Sequence, residues 1–183
     1  MKWYLLLIFI LSNFNGRYSI NDTQEINTYQ KLKRIINKLP TRTQSYWKYH
    51  SLPMLAFEID SLHKKTKIPV NYLLAMIHRE SRYKVYSIGK NKYTKDYGLF
   101  QNNSKYIQGR CKKILKRYCK RFEFFNPVLS VKLASVHLEY CGRLFRSVER
   151  KIECYNSPKR AFKFSNKSLV YFRLVEQRLR NLV

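Results

Sequence analysis

The sequence predicts a mostly α-helical single domain. Apolar residues recur at Val70, Leu73, Leu74 and Ile77, and again at Val131, Ala134, Leu138, Cys141 and Phe145, the spacing of one face of a helix. Five Gly and five Pro in 183 residues leave little room for flexible linkers, and no repeat or low-complexity tract interrupts the chain. Once an export leader is removed, roughly 165 residues remain, enough for one domain with a sizeable core.

The elements follow in order. Met1-Lys2-Trp3 is a short basic start, and Tyr4 to Leu11 is an apolar run far shorter than the ~20 residues of a membrane span. Ser12, Gly16 and Ser19 are small enough to flank a cleavage site. Residues 1–19 therefore read as a secretory signal peptide, with an uncleaved N-terminal anchor as the alternative, and the protein as exported, periplasmic or extracellular. Residues 20–45, with Tyr29-Gln-Lys-Leu-Lys-Arg-Ile-Ile36, form a helical leader ending at Leu39-Pro40. Pro53 and Pro69 suit the first turns of helices over about 52–65 and 69–81. Residues 82–104 are polar, rich in Tyr and carry Gly89 and Gly98, which predicts a long loop with room for a short β-hairpin. Asn126-Pro127 opens the clearest helix, 128–146, and a shorter one follows at about 148–156. The domain proper spans 46–166. Residues 167–183 close the chain as a basic helix, amphipathic over 167–181 and packed on the domain.

Cys111, Cys119, Cys141 and Cys154 all lie in the second half. An even count in an exported chain points to disulfides, and four cysteines allow three connectivities. Cys141 and Cys154 straddle the turn at 146–149, where antiparallel helices would bring them face to face. That favours Cys141–Cys154, with Cys111–Cys119 by elimination. Eight residues of straight helix span ~12 Å, whereas a bridge needs Cα atoms within ~7 Å. The 111–119 segment must therefore bend, or the pairing is crossed. No Cys-x-x-Cys occurs, and His50, His63, His78 and His137 show no ligand spacing, so neither metal nor cofactor is expected.

Charge is extreme, with 37 Lys and Arg against 11 acidic residues and a net charge of +26. Such a field attracts anionic partners. Export argues against nucleic acid and leaves acidic wall polymers and anionic membrane surfaces. The basic residues are scattered in short runs such as Lys112-Lys113, however, as in an ordinary solvated surface.

The most informative residue is Glu80. It lies three residues past Ile77 and so shares the apolar stripe of its helix. A carboxyl on an apolar face is costly to ionise, and one that stays protonated near neutrality can give its proton to a leaving oxygen. Arg79 and Arg82 point off that face, so burial is expected to dominate its titration.

Ala75-Met-Ile-His-Arg-Glu-Ser81, Asp96-Tyr-Gly-Leu-Phe-Gln-Asn-Asn-Ser104 and Cys154-Tyr-Asn156 follow one another in that order. Together they resemble the lytic transglycosylase (SLT-type) branch of the lysozyme-like superfamily. Its marks are Glu-Ser at a helix end, Gly-Leu-Met-Gln, and Ala-Tyr-Asn-Ala-Gly. The resemblance covers roughly residues 50–165 and is nearest to small secreted members that accompany secretion systems, pili and phage. Phe100 stands in place of the common Met, and Ser157-Pro158 in place of Ala-Gly.

The resemblance implies a lysozyme-like fold that cleaves the β-1,4 bond between N-acetylmuramic acid and N-acetylglucosamine in peptidoglycan, leaving a 1,6-anhydro product. Glu80 would act as both acid and base. Ser81, Gly98, Gln101, Tyr155 and Asn156 would place the substrate and Glu80, with Tyr155 holding the Glu80 carboxyl or stacking on sugar. A monomer is expected, with glycan strands as its partner. Asp96 offers a second carboxylate, so lysozyme-type hydrolysis is the alternative, and a non-catalytic wall-binding component is a third reading.

Overall fold

The computed structural model describes residues 22–162 and 169–181, with side chains from residue 28 onward. The signal-peptide expectation at 1–19 lies outside the described residues. Helices α1 (Asp22–Asn37), α2 (Thr41–Ser45), α3 (Leu52–Thr66) and α4 (Val70–Ser81) come first. A three-stranded antiparallel sheet follows, with β1 (Ile88–Lys90), β2 (Lys95–Tyr97) and β3 (Asn102–Asn103) in that order. Then come α5 (Ser104–Leu115), a 3₁₀ turn (Arg121–Phe125), α6 (Pro127–Leu144), α7 (Val148–Asn156), α8 (Pro158–Ala161) and α9 (Val170–Arg180).

The helices begin where the residues dictate. Ser51 and Asn126 cap α3 and α6 through side chains that accept from Met54 N and Leu129 N, each with a proline in the first turn. The apolar stripe of α4 is buried. It forms one core with Leu32 and Ile36 of α1, Leu55, Ile59 and Leu62 of α3, Leu138 of α6, Ile152 of α7, and Tyr171, Phe172 and Val175 of α9. The leader helix and the C-terminal helix are thus part of the domain's packing. Thr28 Oγ1 donates to the buried Asp60 carboxylate at 2.7 Å, fastening α1 to α3.

The long loop after α4 contains more order than its composition suggests. Ile88 pairs with Tyr97 and Lys90 with Lys95, and the strand continues with Asp96 against Asn103 and Tyr97 against Asn102. Residues 104–115 form a helix that the sequence reading passed over.

The disulfides are Cys111–Cys119 and Cys141–Cys154, each with Cα atoms 5.8 Å apart. The bend that the first pair requires is real: α5 stops at Leu115 and Lys116 turns left-handed at φ 59°. Cys141–Cys154 ties α6 to α7. Replacing both of its cysteines by Ser should lower the unfolding free energy by about 3 kcal/mol, from the loop entropy restored to the unfolded chain. The check is a lower denaturant midpoint; an unchanged midpoint would show that α7 is held without the bridge.

Candidate active site

Glu80 occupies the last turn of α4 and is half-buried. The chain leaves that helix through two left-handed residues, Arg82 at φ 52° and Tyr83 at φ 60°. Tyr83 is fully buried. Its hydroxyl donates to Leu74 O at 2.9 Å, and its carbonyl accepts from Trp47 Nε1 at 3.1 Å. The helix end that carries Glu80 is therefore fixed on both sides.

The second wall is the turn Gly98-Leu-Phe-Gln101. Gly98 has φ 73°, and a Cβ there would meet Phe124 O at 2.6 Å, so only glycine fits. Gln101 is left-handed at φ 46°, a conformation that costs a non-glycine residue of order 1 kcal/mol or more. Its Nε2 donates to Gly98 O at 2.9 Å and to Ser87 O at 3.3 Å, which holds it there. Phe100 N and Asn102 Nδ2 both donate to Ser130 Oγ of α6, at 3.1 and 3.2 Å. Tyr155 closes the other side by donating to Phe100 O at 2.6 Å.

The third wall comes from the C-terminal helix. Tyr171 of α9 donates its hydroxyl to Glu80 Oε1. Tyr171 is aimed by Glu153, which is 0% exposed. One Glu153 oxygen accepts from the backbone N–H of Tyr171 at 2.6 Å and of Phe172 at 3.0 Å, and the other from Arg160 Nε at 2.7 Å. A carboxylate at the unsatisfied N–H groups of a helix start is favoured both by hydrogen bonding and by the helix dipole.

Two adjoining clefts, of about 290 and 650 Å³, share Glu80, Asp96, Gln101 and Asn156 in their walls. Burial pushes Glu80 from its ordinary 4.5 up to about 7; the Tyr171 hydrogen bond and Arg79 pull against that, and the Asp96 charge adds to it. The Asp96 carboxylate accepts from Asn91 Nδ2 and Asn103 Nδ2. Asn156 is exposed at the end of α7, and its Oδ1 accepts from Arg160. After Asn156, Ser157 is extended and Pro158 starts α8, so a new helix replaces the expected Ala-Gly. A separate cleft of about 470 Å³ lies behind α4, lined by Lys31, Arg34, Lys38 and His78, and no carboxylate among the described residues lines it. Among the described residues, no cluster of three His, Cys, Asp or Glu could hold a metal.

Two expectations need correction. Ser81 does not face the clefts: it is 4% exposed and its hydroxyl donates back to Ile77 O at 3.1 Å. Tyr155 does not hold the Glu80 carboxyl, because its hydroxyl is engaged by Phe100 O; Tyr171 has that role. Tyr171, Glu153 and Ser130 escaped sequence reading. The only local signal was an acid, Glu153, set between the apolar Ile152 and Cys154.

The family model described as Transglycosylase SLT domain matches residues 58–168. No curated protein matches the chain.

Folded Glu80 titrates near 7 against 4.5 in the unfolded chain. Between those values the folded state binds more protons, so the stability that the protonated carboxyl contributes is full below about 4.5 and is lost as pH rises through about 7. Glu80→Gln should remove that slope and be more stable than wild type above pH 7. The gain should be roughly 1–3 kcal/mol, as each pKa unit is worth ~1.4 and solvent screens part of it. Chemical denaturation across pH 4–8 measures this, and a slope that persists in the variant would assign it to another group. Tyr171→Phe removes a hydrogen bond that favours the carboxylate, so Glu80 should titrate higher still, as read by carbon-detected NMR.

Proposed function

The chain belongs to the transglycosylase SLT family, and on that premise we propose that it is an exported peptidoglycan lytic transglycosylase with Glu80 as its single acid and base. The observation that carries this reading is the Glu80 carboxyl itself. It lines a cleft, titrates near neutrality, and has one oxygen fixed by Tyr171. Burial raises its pKa toward neutrality, which suits a group that must give and then take a proton.

The protonated carboxyl donates to the glycosidic oxygen between N-acetylmuramic acid and N-acetylglucosamine. The C1–O4 bond breaks and an oxocarbenium-like centre develops at C1, with the substrate's own N-acetyl group stabilising it. The Glu80 carboxylate then takes the proton of the sugar's 6-hydroxyl. O6 bonds to C1, which closes the 1,6-anhydro ring and returns Glu80 to its protonated form. No water is consumed. Gln101 and Asn156 line both clefts beside Glu80, where their amides can order the sugar; Gly98 keeps the backbone close.

Export in this reading rests on two structural disulfides, which persist in oxidising compartments, and on residues 1–19 as a cleaved signal. In the same reading residues 20–45 are the leader segment, 46–166 the catalytic domain and 167–183 the basic C-terminal segment. The net charge of +26 draws the protein to acidic wall polymers. Service to a secretion system, pilus or phage follows from the resemblance to small secreted members.

Asp96 keeps hydrolysis as the second reading, because it lines the same clefts and its charge acts on Glu80. Product masses from purified sacculi separate the readings. Anhydro-muramic ends are expected, with Glu80→Gln inactive by at least about 10²-fold and Asp96→Asn far less affected. Reducing ends with equal losses in both variants would make the protein a hydrolase. No cleavage by wild type would make it a wall-binding component.

A further inference from the structure

The larger cleft, which Glu80 and Asp96 also line, contains a cation that forms an ion pair with neither of them. Asn103 caps α5 by accepting from Lys105 N at 3.0 Å. One helical turn apart on that helix, Tyr106 and Arg110 both line the cleft, with His137 opposite them on α6. Arg110 Nη1 donates to Asn102 Oδ1 at 3.1 Å and to Leu133 O at 3.4 Å. Nη2 and Nε have no acceptor among the described residues, and no carboxylate there pairs with this guanidinium. Its nearest neighbours in the cleft are the Tyr106 ring and His137, while the Glu80 and Asp96 carboxylates line the same cleft without pairing with it. The guanidinium carbon lies 5.9 Å from the Tyr106 ring centroid, and burial together with Arg110 itself holds His137 toward the neutral form.

In a chain of net charge +26, most basic side chains are solvated surface. Arg110 differs in three ways: it is half-buried, it is fixed by two hydrogen bonds, and it faces the cleft that contains Glu80. Partial burial without a counter-charge is unfavourable. Neutral sugar hydroxyls do not call for a cation, since the amides of Asn and Gln serve them as well. A guanidinium fork matches a carboxylate. On a glycan strand the carboxylates are confined to muramic acid. They are the lactyl carboxylate where no peptide is attached, and the acidic side of the peptide where one is.

We propose that Arg110 binds a carboxylate borne by the muramic acid residue, with the exposed Tyr106 ring as the wall of that subsite. This rests on peptidoglycan being the substrate. It makes Arg110 a residue that selects muramic acid over its neutral neighbour and so fixes the register of the strand across Glu80.

The test is calorimetric binding of disaccharides in which N-acetylglucosamine precedes N-acetylmuramic acid, so that the scissile bond is absent and binding is read apart from cleavage. Two matched pairs are used. One has the lactyl carboxylate free or as its amide; the other has a dipeptide ending in glutamate with both of its carboxyls free or both as amides. Wild type should prefer the acid over the amide in at least one pair by about 10- to 100-fold, the range of a charge-assisted hydrogen bond. The pair that shows the preference identifies the source of the carboxylate. Arg110→Gln should abolish the preference, and Arg110→Lys should retain only part of it. The acid-to-amide ratio is taken within one protein, so general loosening of the cleft leaves it unchanged. Equal binding of acid and amide by wild type, survival of the preference in Arg110→Gln, or no measurable binding of all four ligands would each overturn the proposal. Failure of the transglycosylase reading is a separate result, read from wild-type digestion of sacculi.

Discussion

Glu153 is a carboxylate with no exposed surface, and the geometry around the site depends on its being fully satisfied. An unpaired charge at that depth would be strongly destabilising. Arg160 and two backbone N–H groups at the start of α9 prevent that. The same bonds fix where α9 begins, and hence where Tyr171 points. Its neighbours on α7 fasten other helices in turn. Lys151 Nζ donates to Thr66 O at 2.9 Å, at the C-terminal end of α3, where a cation is favoured. Cys154 is bonded to α6, Tyr155 to the Phe100 carbonyl, and Asn156 reaches the clefts. A helix of nine residues therefore joins α3, α6, α8 and α9 to one wall of the clefts, which is why a short element can hold the site together.

Glu80 lives under opposing demands. Its helix is stable because the stripe through Leu73, Leu74 and Ile77 is buried, and that stripe carries Glu80 toward the interior. Burial alone would favour the neutral acid. The Tyr171 hydrogen bond stabilises the carboxylate and moderates the shift, and the Asp96 charge opposes it. The result near 7 is a balance between packing and polar contacts.

What was legible in the sequence was what acts locally. The 3.6-residue period located α4 and α6 and put Glu80 on the buried stripe, and Pro53 located α3. Prolines and capping residues marked helix starts, and Gly98 marked a turn that only glycine fits. The pattern failed where partners are far apart in the chain. Tyr171 meets Glu80 across 91 residues and Ser130 meets Phe100 across 30, and no periodicity encodes such pairings. The Ser81 hydroxyl was misread for another reason. A serine in a helix has its own preceding carbonyl as an acceptor, and that local bond wins over a role in the cleft. The loop at 82–104 was legible as a loop with room for a short hairpin, which the antiparallel strands fill, but its strand limits were not, because the strands are only two or three residues long, too short to show alternation.

The positive field follows from where the few acids are placed. Of 11 acidic residues, Asp60 and Glu153 are buried, Glu80 and Asp96 line the clefts, and Glu58, Glu123 and Glu139 are held in ion pairs. Little negative charge is left outside to oppose 37 basic residues. Exposed charges act over ~8 Å at physiological ionic strength, so this surface attracts any anionic polymer without reading its structure. Reading requires a charge that is fixed and partly shielded from water, within the cleft and beside the acid. The basic C-terminal helix belongs to both regimes. Its polar face carries Arg173 and Arg180 into solvent, while its apolar face delivers Tyr171 to Glu80. Exposed basic charge and the contact with Glu80 thus lie on opposite sides of one amphipathic helix, and the sequence pattern that displays the first conceals the second.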